Sequence, residues 1–174
     1  MITLKRNSSV MEHKYLIDAN IFITAHRKTY PFDIAPSFWK QLVDKAADKI
    51  IIIEKVEDEI LRGKKDELAQ WYNEQSSYFT LLKIPEQEVI LSYSKIINSV
   101  NENEQYKQSA KDEFASIADS WLCAYGLAYK ATIVTLETYQ DGIRNKVKIP
   151  NICVAFDIRY IDMLTFMREI GMRF

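Results

Sequence analysis

Four apolar stretches of the chain have the pattern of short strands that are buried on both faces of a sheet. The first is interrupted by Asp18 and Asn20 and then leads into a helix. The four stretches are residues 15–23, 50–53, 131–137 and 151–156. Continuous apolar runs of this length are typical of parallel strands, whose connections are usually helical. The pattern therefore predicts a parallel sheet with helices packed against it.

Helical segments are predicted where apolar residues recur every three or four positions. The most regular is residues 112–130. A continuous helix there would put Asp119 at the edge of the apolar stripe, whereas a bend would make Asp119 an N-cap. The polar residues 98–109 are predicted to be an exposed connection. Further helices are predicted at residues 24–28, 36–46, 56–61, 65–78, 85–97 and 159–170, and a loop or short edge strand at residues 81–85.

Length and composition fit one ordered domain. The chain has 174 residues, of which 48% are hydrophobic, and only four Gly and four Pro. A chain of this size buries most of its apolar surface as a single unit, so we expect one domain over residues 1–174. Residues 1–13 are expected to be a flexible or peripheral segment. They contain no apolar stretch long enough for a signal peptide or membrane span, so we expect a cytoplasmic protein without membrane contact.

Charge and cysteine content argue against two kinds of site, a broad basic surface for nucleic acid and a cysteine-based zinc site. Lys plus Arg (23) and Asp plus Glu (24) nearly cancel, so no overall basic field attracts nucleic acid and any such contact must be local. Cys123 and Cys153 lack the paired spacing of a zinc site. We expect them to be reduced thiols in the core.

Acidic residues stand where predicted strands and helices begin or end. Asp18 and Glu137 each follow an apolar strand, and Asp119 lies at the edge or start of a helix. In the helix predicted at residues 56–61, helical phase leaves open whether Glu57 or Glu59 turns inward. Each acid alone has a plainer explanation, as a helix cap, a charge favoured by the helix dipole or a loop residue.

Together these acids predict a metal site. The carboxyl ends of parallel strands lie at one edge of a sheet, which would gather the carboxylates in one crevice. Several close carboxylates cannot all stay ionised unless cations neutralise them, and oxygen ligands suit Mg²⁺ or Mn²⁺ better than zinc. Such ions activate water and stabilise displacement at a phosphodiester. The pattern therefore predicts a metal-dependent nuclease.

Four segments carry a resemblance to a known family. They are a strand ending in Asp-x-Asn, an apolar-x-x-Glu-apolar helix, an acid followed by a helix, and a late strand ending in Thr-x-Glu, found at residues 16–20, 56–60, 119–124 and 133–137. Each motif is common, but their order and spacing are specific. Along residues 15–174 the chain resembles PIN-domain ribonucleases, most closely the VapC-like toxins of bacterial type II toxin–antitoxin pairs.

The resemblance implies a three-layer α/β fold with a central, mostly parallel, twisted sheet flanked by helices. It selects Glu59 rather than Glu57 from the acidic helix. The implied catalytic and metal-binding acids are Asp18, Glu59, Asp119 and Glu137, with Mg²⁺ or Mn²⁺ as cofactor.

Supporting residues follow from the same resemblance. Asn20 and Thr135 would orient the carboxylates. Glu137 is longer than the Asp that the family often has, so Asp141 is an alternative fourth acid.

The implied function is that of an endoribonuclease toxin. Its partners would be an RNA substrate, a cognate antitoxin and a second copy of the chain as a homodimer. Basic residues that follow strand or helix ends are candidates for phosphate contacts, each with solvated surface charge as the plainer explanation: Arg27, Lys28, Arg62, Lys64, Lys65, Arg144, Lys146 and Lys148.

Rival functions are distinguishable by sequence or by experiment. A catalytically inactive PIN-like module would keep the fold and bind RNA or protein in the same groove. A phosphohydrolase with an aspartyl nucleophile usually has a second Asp two residues after the first, where this chain has Asn20. A nucleotide-binding fold is disfavoured because no Gly-rich loop follows a predicted strand.

Overall fold

The computed structural model describes residues 14–62 and 66–174. The predictions for residues 1–13, for Lys64 and Lys65, and for a helix end near Gly63 lie outside the described residues. No helix in the described ranges combines the length and the apolar character needed to cross a membrane.

Within the described residues, five short strands form one parallel sheet. They are β1 (Tyr15–Ile17), β2 (Ile50–Ile53), β3 (Thr80–Leu82), β4 (Thr132–Val134) and β5 (Tyr160–Ile161), in the spatial order β3-β2-β1-β4-β5. The predicted α/β class with a central parallel sheet is confirmed.

Helices connect and cover the strands. Those in the described ranges are α1 (Ala19–Thr24), α2 (Pro36–Ala46), α3 (Glu54–Leu61), α4 (Glu67–Gln75), α5 (Gln87–Glu102), α6 (Gln108–Ser116), α7 (Ala118–Tyr129), α8 (Ile149–Phe156) and α9 (Met163–Glu169). A single π-helical turn, Ala25–Thr29, extends α1.

The middle of the sheet is the centre of the core. Leu16 of β1 pairs with Ile51 of β2 on one side and Ile133 of β4 on the other, and all three side chains are fully buried. Covering such side chains stabilises the fold by roughly 1.5–3 kcal/mol each. This burial fixes the register of β1, so the residue after its last position, Asp18, has a fixed place at the sheet edge.

One predicted strand is a helix. Residues 151–156 belong to α8, and the fifth strand is the later pair Tyr160–Ile161. Pro150 stands in the first turn of α8, where its missing N–H costs nothing. Asp157, at φ 54°, ends the helix in the left-handed region. A short apolar run does not distinguish a buried strand from a buried helix, and here the proline was the better guide.

Two helix boundaries also differ from prediction. The segment 98–109 is not wholly an exposed connection, because α5 continues to Glu102. Lys111 donates from its ammonium to the Asn101 carbonyl oxygen (2.7 Å), and Val100 and Tyr106 are buried. The helix predicted at residues 112–130 is broken at Ile117, so the bent alternative is the observed one.

Gly126 lets α7 pack closely on the sheet. A Cβ atom at this position would lie 3.0 Å from Ile133 Cδ1 and 3.0 Å from Ile158 Cγ2. Both isoleucines belong to the buried core, which has little freedom to adjust. A glycine here therefore sets the distance between the helix and β4.

We expect Gly126→Val to lower the free energy of unfolding by about 1–3 kcal/mol, because the added methyl groups overpack this contact. Urea denaturation followed by circular dichroism measures the change. Ala128→Val, at a half-buried position of the same helix, is the control for the helix propensity of valine and should cost less than about 1 kcal/mol. Equal losses in the two variants would contradict the close-packing argument.

Candidate active site

Asp18 occupies the junction between β1 and α1. Its backbone N–H donates to the Val134 carbonyl oxygen (3.0 Å), which continues the pairing with β4. Its Oδ1 accepts a hydrogen bond from the Asn20 backbone N–H (3.1 Å) and so caps α1. The side chain is only 3% exposed. Asp18 is therefore both a strand-end carboxylate and an N-cap, the two interpretations that its sequence position allowed.

Thr135 holds the second oxygen of Asp18. Its buried hydroxyl donates to Asp18 Oδ2 (2.8 Å) and accepts from the Glu137 backbone N–H (3.1 Å). Burial nevertheless raises the pKa of Asp18, and the charge of Glu137 adds to the rise, while the hydrogen bonds from Thr135 and Asn20 oppose it. The Asp18 carboxylate is thus well oriented, but its surroundings hold too little positive charge to offset the effect of burial on its pKa.

The break between α6 and α7 places a third acid beside Asp18. Ile117 is extended (φ −102°, ψ 174°), and Ser120 Oγ donates back to its carbonyl oxygen (3.1 Å). Because α7 begins anew at Ala118, its first N–H groups have no partner within the helix. Asp119 lies in this first turn and is half-buried, rather than serving as the N-cap.

Glu59, not Glu57, faces this region. Burial and the nearby charge of Asp18 raise the pKa of Glu59, while the charge of Arg62 and a hydrogen bond from the Ala118 backbone N–H oppose the rise. Glu57 instead accepts a hydrogen bond from the Tyr72 hydroxyl (3.2 Å) of α4. The ambiguity that helical phase left within α3 is resolved by these two partners.

Asp119 is the most strongly perturbed of the half-buried acids. Burial raises its pKa to about 7, and the charges of Asp18, Glu137 and Glu59 contribute to the rise while Lys146 opposes it. The charges of all four predicted acids thus meet at Asp119 in one electrostatic cluster. Two anionic groups that raise each other's pKa attract either protons or cations.

Glu137 differs from the other acids because both of its oxygens are engaged. Oε1 forms an ion pair with the Lys146 ammonium, and Oε2 accepts from the backbone N–H of Ile149 (2.9 Å), the first residue of α8. Burial disfavours the charged form of Lys146, but its bond to Glu137 and the charges of Glu137, Asp119 and Glu113 leave its pKa raised. In the sequence analysis Lys146 is one of several candidate phosphate contacts, and its ion pair with Glu137 is not predicted.

The other predicted residues lie further from the cluster. Asn20 contributes its backbone N–H to Asp18, while its side chain is exposed. Asp141 is exposed on the loop after β4, with no hydrogen bond or ion pair to another residue in the described ranges. Arg62 is close enough to lower the pKa of Glu59. Arg27 pairs with Asp66 (3.6 Å between Nη2 and Oδ2), and Lys28 is exposed.

The donor chemistry of the cluster suits a hard divalent cation. Asp18, Glu59 and Asp119 offer carboxylate oxygens, the ligands preferred by Mg²⁺ and Mn²⁺. Across residues 14–62 and 66–174, no three His, Cys, Asp or Glu side chains already stand in a metal-binding arrangement. The shared excess of negative charge of Asp18, Glu59 and Asp119 fits such an ion.

Comparison with known proteins places the fold. A family model described as a domain of unknown function (DUF4411) matches residues 15–174. A chain in the crystal structure of VapBC2 from Rickettsia felis, bound to a DNA fragment from their promoter, aligns with a TM-score of 0.52 and 14% identity, over 85% of this chain and 97% of that one. No curated protein matches. The likeness confirms the predicted PIN-like fold of the VapC type.

We expect Asp119→Asn to raise the melting temperature of the metal-free protein at about pH 8 by at least ~3 °C, and by much less at about pH 5. The Asp119 pKa is about 7 in the folded protein and roughly 4 in an unfolded chain. The folded state therefore loses stability as the pH rises from about 4 through 7, and the neutral amide avoids that loss.

Thermal melting in EDTA at the two pH values measures this effect. Asp141→Asn removes an exposed acid of the same region and should change neither melting temperature. A gain for Asp119→Asn that is equal at both pH values would show that it does not arise from relief of charge repulsion.

Proposed function

Since this chain belongs to the family described as a domain of unknown function (DUF4411) and has a PIN-like fold, we propose that it is a divalent-metal-dependent endoribonuclease, the toxin of a toxin–antitoxin pair. The observation that carries this proposal is the cluster at the sheet edge, where burial raises the pKa of Asp18, Glu59 and Asp119, and the charge of Asp18 adds to the rise at the other two. We also propose that residues 1–174 form one PIN-like domain.

Asp18, Glu59 and Asp119 would hold Mg²⁺ or Mn²⁺. When bound, such an ion lowers the pKa of water and stabilises charge on a phosphodiester undergoing displacement. The chain's own contribution is orientation. Thr135 and the Asn20 backbone N–H fix the two oxygens of Asp18, which reduces the reorganisation needed when the ion and substrate bind.

Backbone N–H groups and nearby cations complete the proposed roles. The Ala118 N–H holds Glu59 at the start of α7. Arg62, whose charge lowers the pKa of Glu59, is a predicted phosphate contact beside the cluster. Arg27 and Lys28 follow the end of α1 and would contact RNA further along its backbone.

The proposed role as a toxin rests on the likeness of fold. The solved structure that this chain resembles is that of VapBC2 bound to a DNA fragment from its promoter. By analogy of fold, we propose a cognate antitoxin, a homodimer and a cytoplasmic site of action for this chain.

We expect the purified protein to cleave a mixed pool of single-stranded and structured RNA with Mn²⁺ or Mg²⁺ and not with EDTA. Asp18→Asn and Asp119→Asn should each slow cleavage by at least about 100-fold, because each removes a charge that holds the ion near the reacting phosphate. Gel analysis of the products under each metal condition is the measurement. A folded, partner-free protein that cuts under no condition would favour an inactive RNA- or protein-binding module.

Glu59→Gln and Glu57→Gln form a matched pair on α3. The Glu59 variant should need about tenfold more Mn²⁺ for half-maximal cleavage, because it loses a ligand charge. The Glu57 variant keeps a hydrogen-bond acceptor for Tyr72 and should stay within about twofold of the wild type. Titrating Mn²⁺ in the cleavage assay compares the two variants. A larger effect of Glu57→Gln would contradict the assignment of Glu59 as the metal ligand.

A further inference from the structure

We propose that Glu137 anchors Lys146 instead of binding the metal, and that the Lys146 ammonium contacts the scissile phosphate as a built-in second cation. That the substrate is an RNA phosphodiester rests on the proposed nuclease function. The placement of the ammonium rests on the contacts of Glu137 and Lys146.

The first step is that Glu137 differs from the other acids, in that one of its oxygens is paired with a cation of the protein and the other satisfies a buried helix N-terminus. Its side chain is 16% exposed, with Oε1 on the Lys146 ammonium and Oε2 on the Ile149 N–H at 2.9 Å. Ile149 is fully buried and begins α8, so its N–H has no acceptor within the helix. Turning Glu137 towards a metal would leave that buried donor unsatisfied, which is costly.

The side-chain length of residue 137 fits this role. Residue 137 is a Glu, one methylene longer than an Asp. This length lets one carboxylate reach both the Lys146 ammonium and the start of α8 while the Glu137 backbone N–H stays on the Thr135 hydroxyl (3.1 Å).

The second step is that Lys146 retains donors for a ligand. An ammonium has three N–H groups, and within the described ranges the hydrogen bond to Glu137 is the one that Lys146 makes. Its side chain is 43% exposed. Its charge lowers the pKa of both Asp18 and Asp119, so the ammonium lies on the side of the acidic cluster.

The loop around Lys146 is held from both sides. Before it, the Ile143 carbonyl oxygen accepts from Gln105 Nε2 (2.8 Å) and the Arg144 carbonyl oxygen accepts from the Lys107 N–H (2.9 Å). After it, Val147 is buried in the core. These contacts fix the backbone of Lys146, so its ammonium is positioned before substrate binds.

Charge balance explains why the second cation matters. The four acids carry four negative charges, and one divalent ion would leave a net charge of about −2 facing an anionic phosphate. Lys146 reduces this to about −1 and puts a positive charge beside the ion, the arrangement that two-metal sites use to stabilise both the attacking and the leaving oxygens. The reaction balances as hydrolysis: water adds to phosphorus, the bond from phosphorus to the leaving oxygen breaks, and a proton lost from the water is matched by one gained by the leaving oxygen.

The test separates metal binding from phosphate binding. Calorimetric titration of the metal-free protein with Mn²⁺, in the absence of RNA, should give Glu137→Gln an affinity within about threefold of the wild type, whereas Asp119→Asn should lose at least about tenfold. A loss in Glu137→Gln equal to that of Asp119→Asn would make Glu137 a ligand and overturn the proposal.

Lys146→Gln is expected to slow single-turnover cleavage by about 100-fold without weakening Mn²⁺ binding, because it removes a positive charge from the cluster, and Lys146→Arg is expected to recover most of the rate. Lys40→Gln is the matched control, since Lys40 also pairs with a carboxylate, Asp44, but on the outer surface of α2. It should behave like the wild type. Cleavage by Lys146→Gln at the wild-type rate would overturn the phosphate contact.

RNA binding distinguishes failure of this inference from failure of the nuclease proposal. In the wild type, the logarithm of the affinity for single-stranded RNA, measured by fluorescence anisotropy, falls with the logarithm of salt concentration. Lys146→Gln should reduce that slope by about 0.7, the loss of one phosphate contact. This holds even if no RNA is cut, and an unchanged slope would contradict the inference.

Discussion

Burial of the Asp18 carboxylate at the carboxyl end of β1 is the constraint on which the site depends. The packing of Leu16 against Ile51 and Ile133 fixes β1, so Asp18 cannot move to water without disturbing the centre of the sheet. Two hydrogen bonds orient its oxygens, yet its pKa stays raised because neither donor carries a full positive charge. The neighbouring side chains therefore either add further uncompensated negative charge, as Glu59 and Asp119 do, or supply positive charge, as Lys146 does.

The break at Ile117 is the clearest case of fold serving the site. A continuous helix would use the Ala118 N–H for its own i−4 bond, whereas the break leaves that group for Glu59. The same break puts Asp119 into a first turn, where the helix dipole favours a negative charge. Even so, burial and three neighbouring acids raise the Asp119 pKa to about 7. One local interruption thus brings two acids towards Asp18.

The sequence predicted what depends on local pattern and failed where distant contacts decide. Apolar runs located β1, β2 and β4, but β5 has only two residues, too few for any periodicity, and the run in α8 suited either element. Of the candidate site, the four acids were predictable from strand ends and motif order. Helical phase left Glu57 and Glu59 open and the motif resemblance selected Glu59, whereas the hydrogen bond that engages Glu57 comes from Tyr72 on another helix and could not be predicted. The pairing of Glu137 with Lys146 required a loop whose course is set by Gln105, Lys107 and a buried Val147.

The four acids divide by what holds them. Glu59 and Glu137, the longer side chains, each reach a backbone N–H at the start of a helix, α7 and α8 respectively. Asp18 instead caps its own helix, α1, and Asp119 lies in the first turn of α7. Glu137 alone also has a lysine, so its charge is matched within the protein. The remaining imbalance lies between Asp18, Asp119 and Glu59, which is where a divalent cation would gain most by binding.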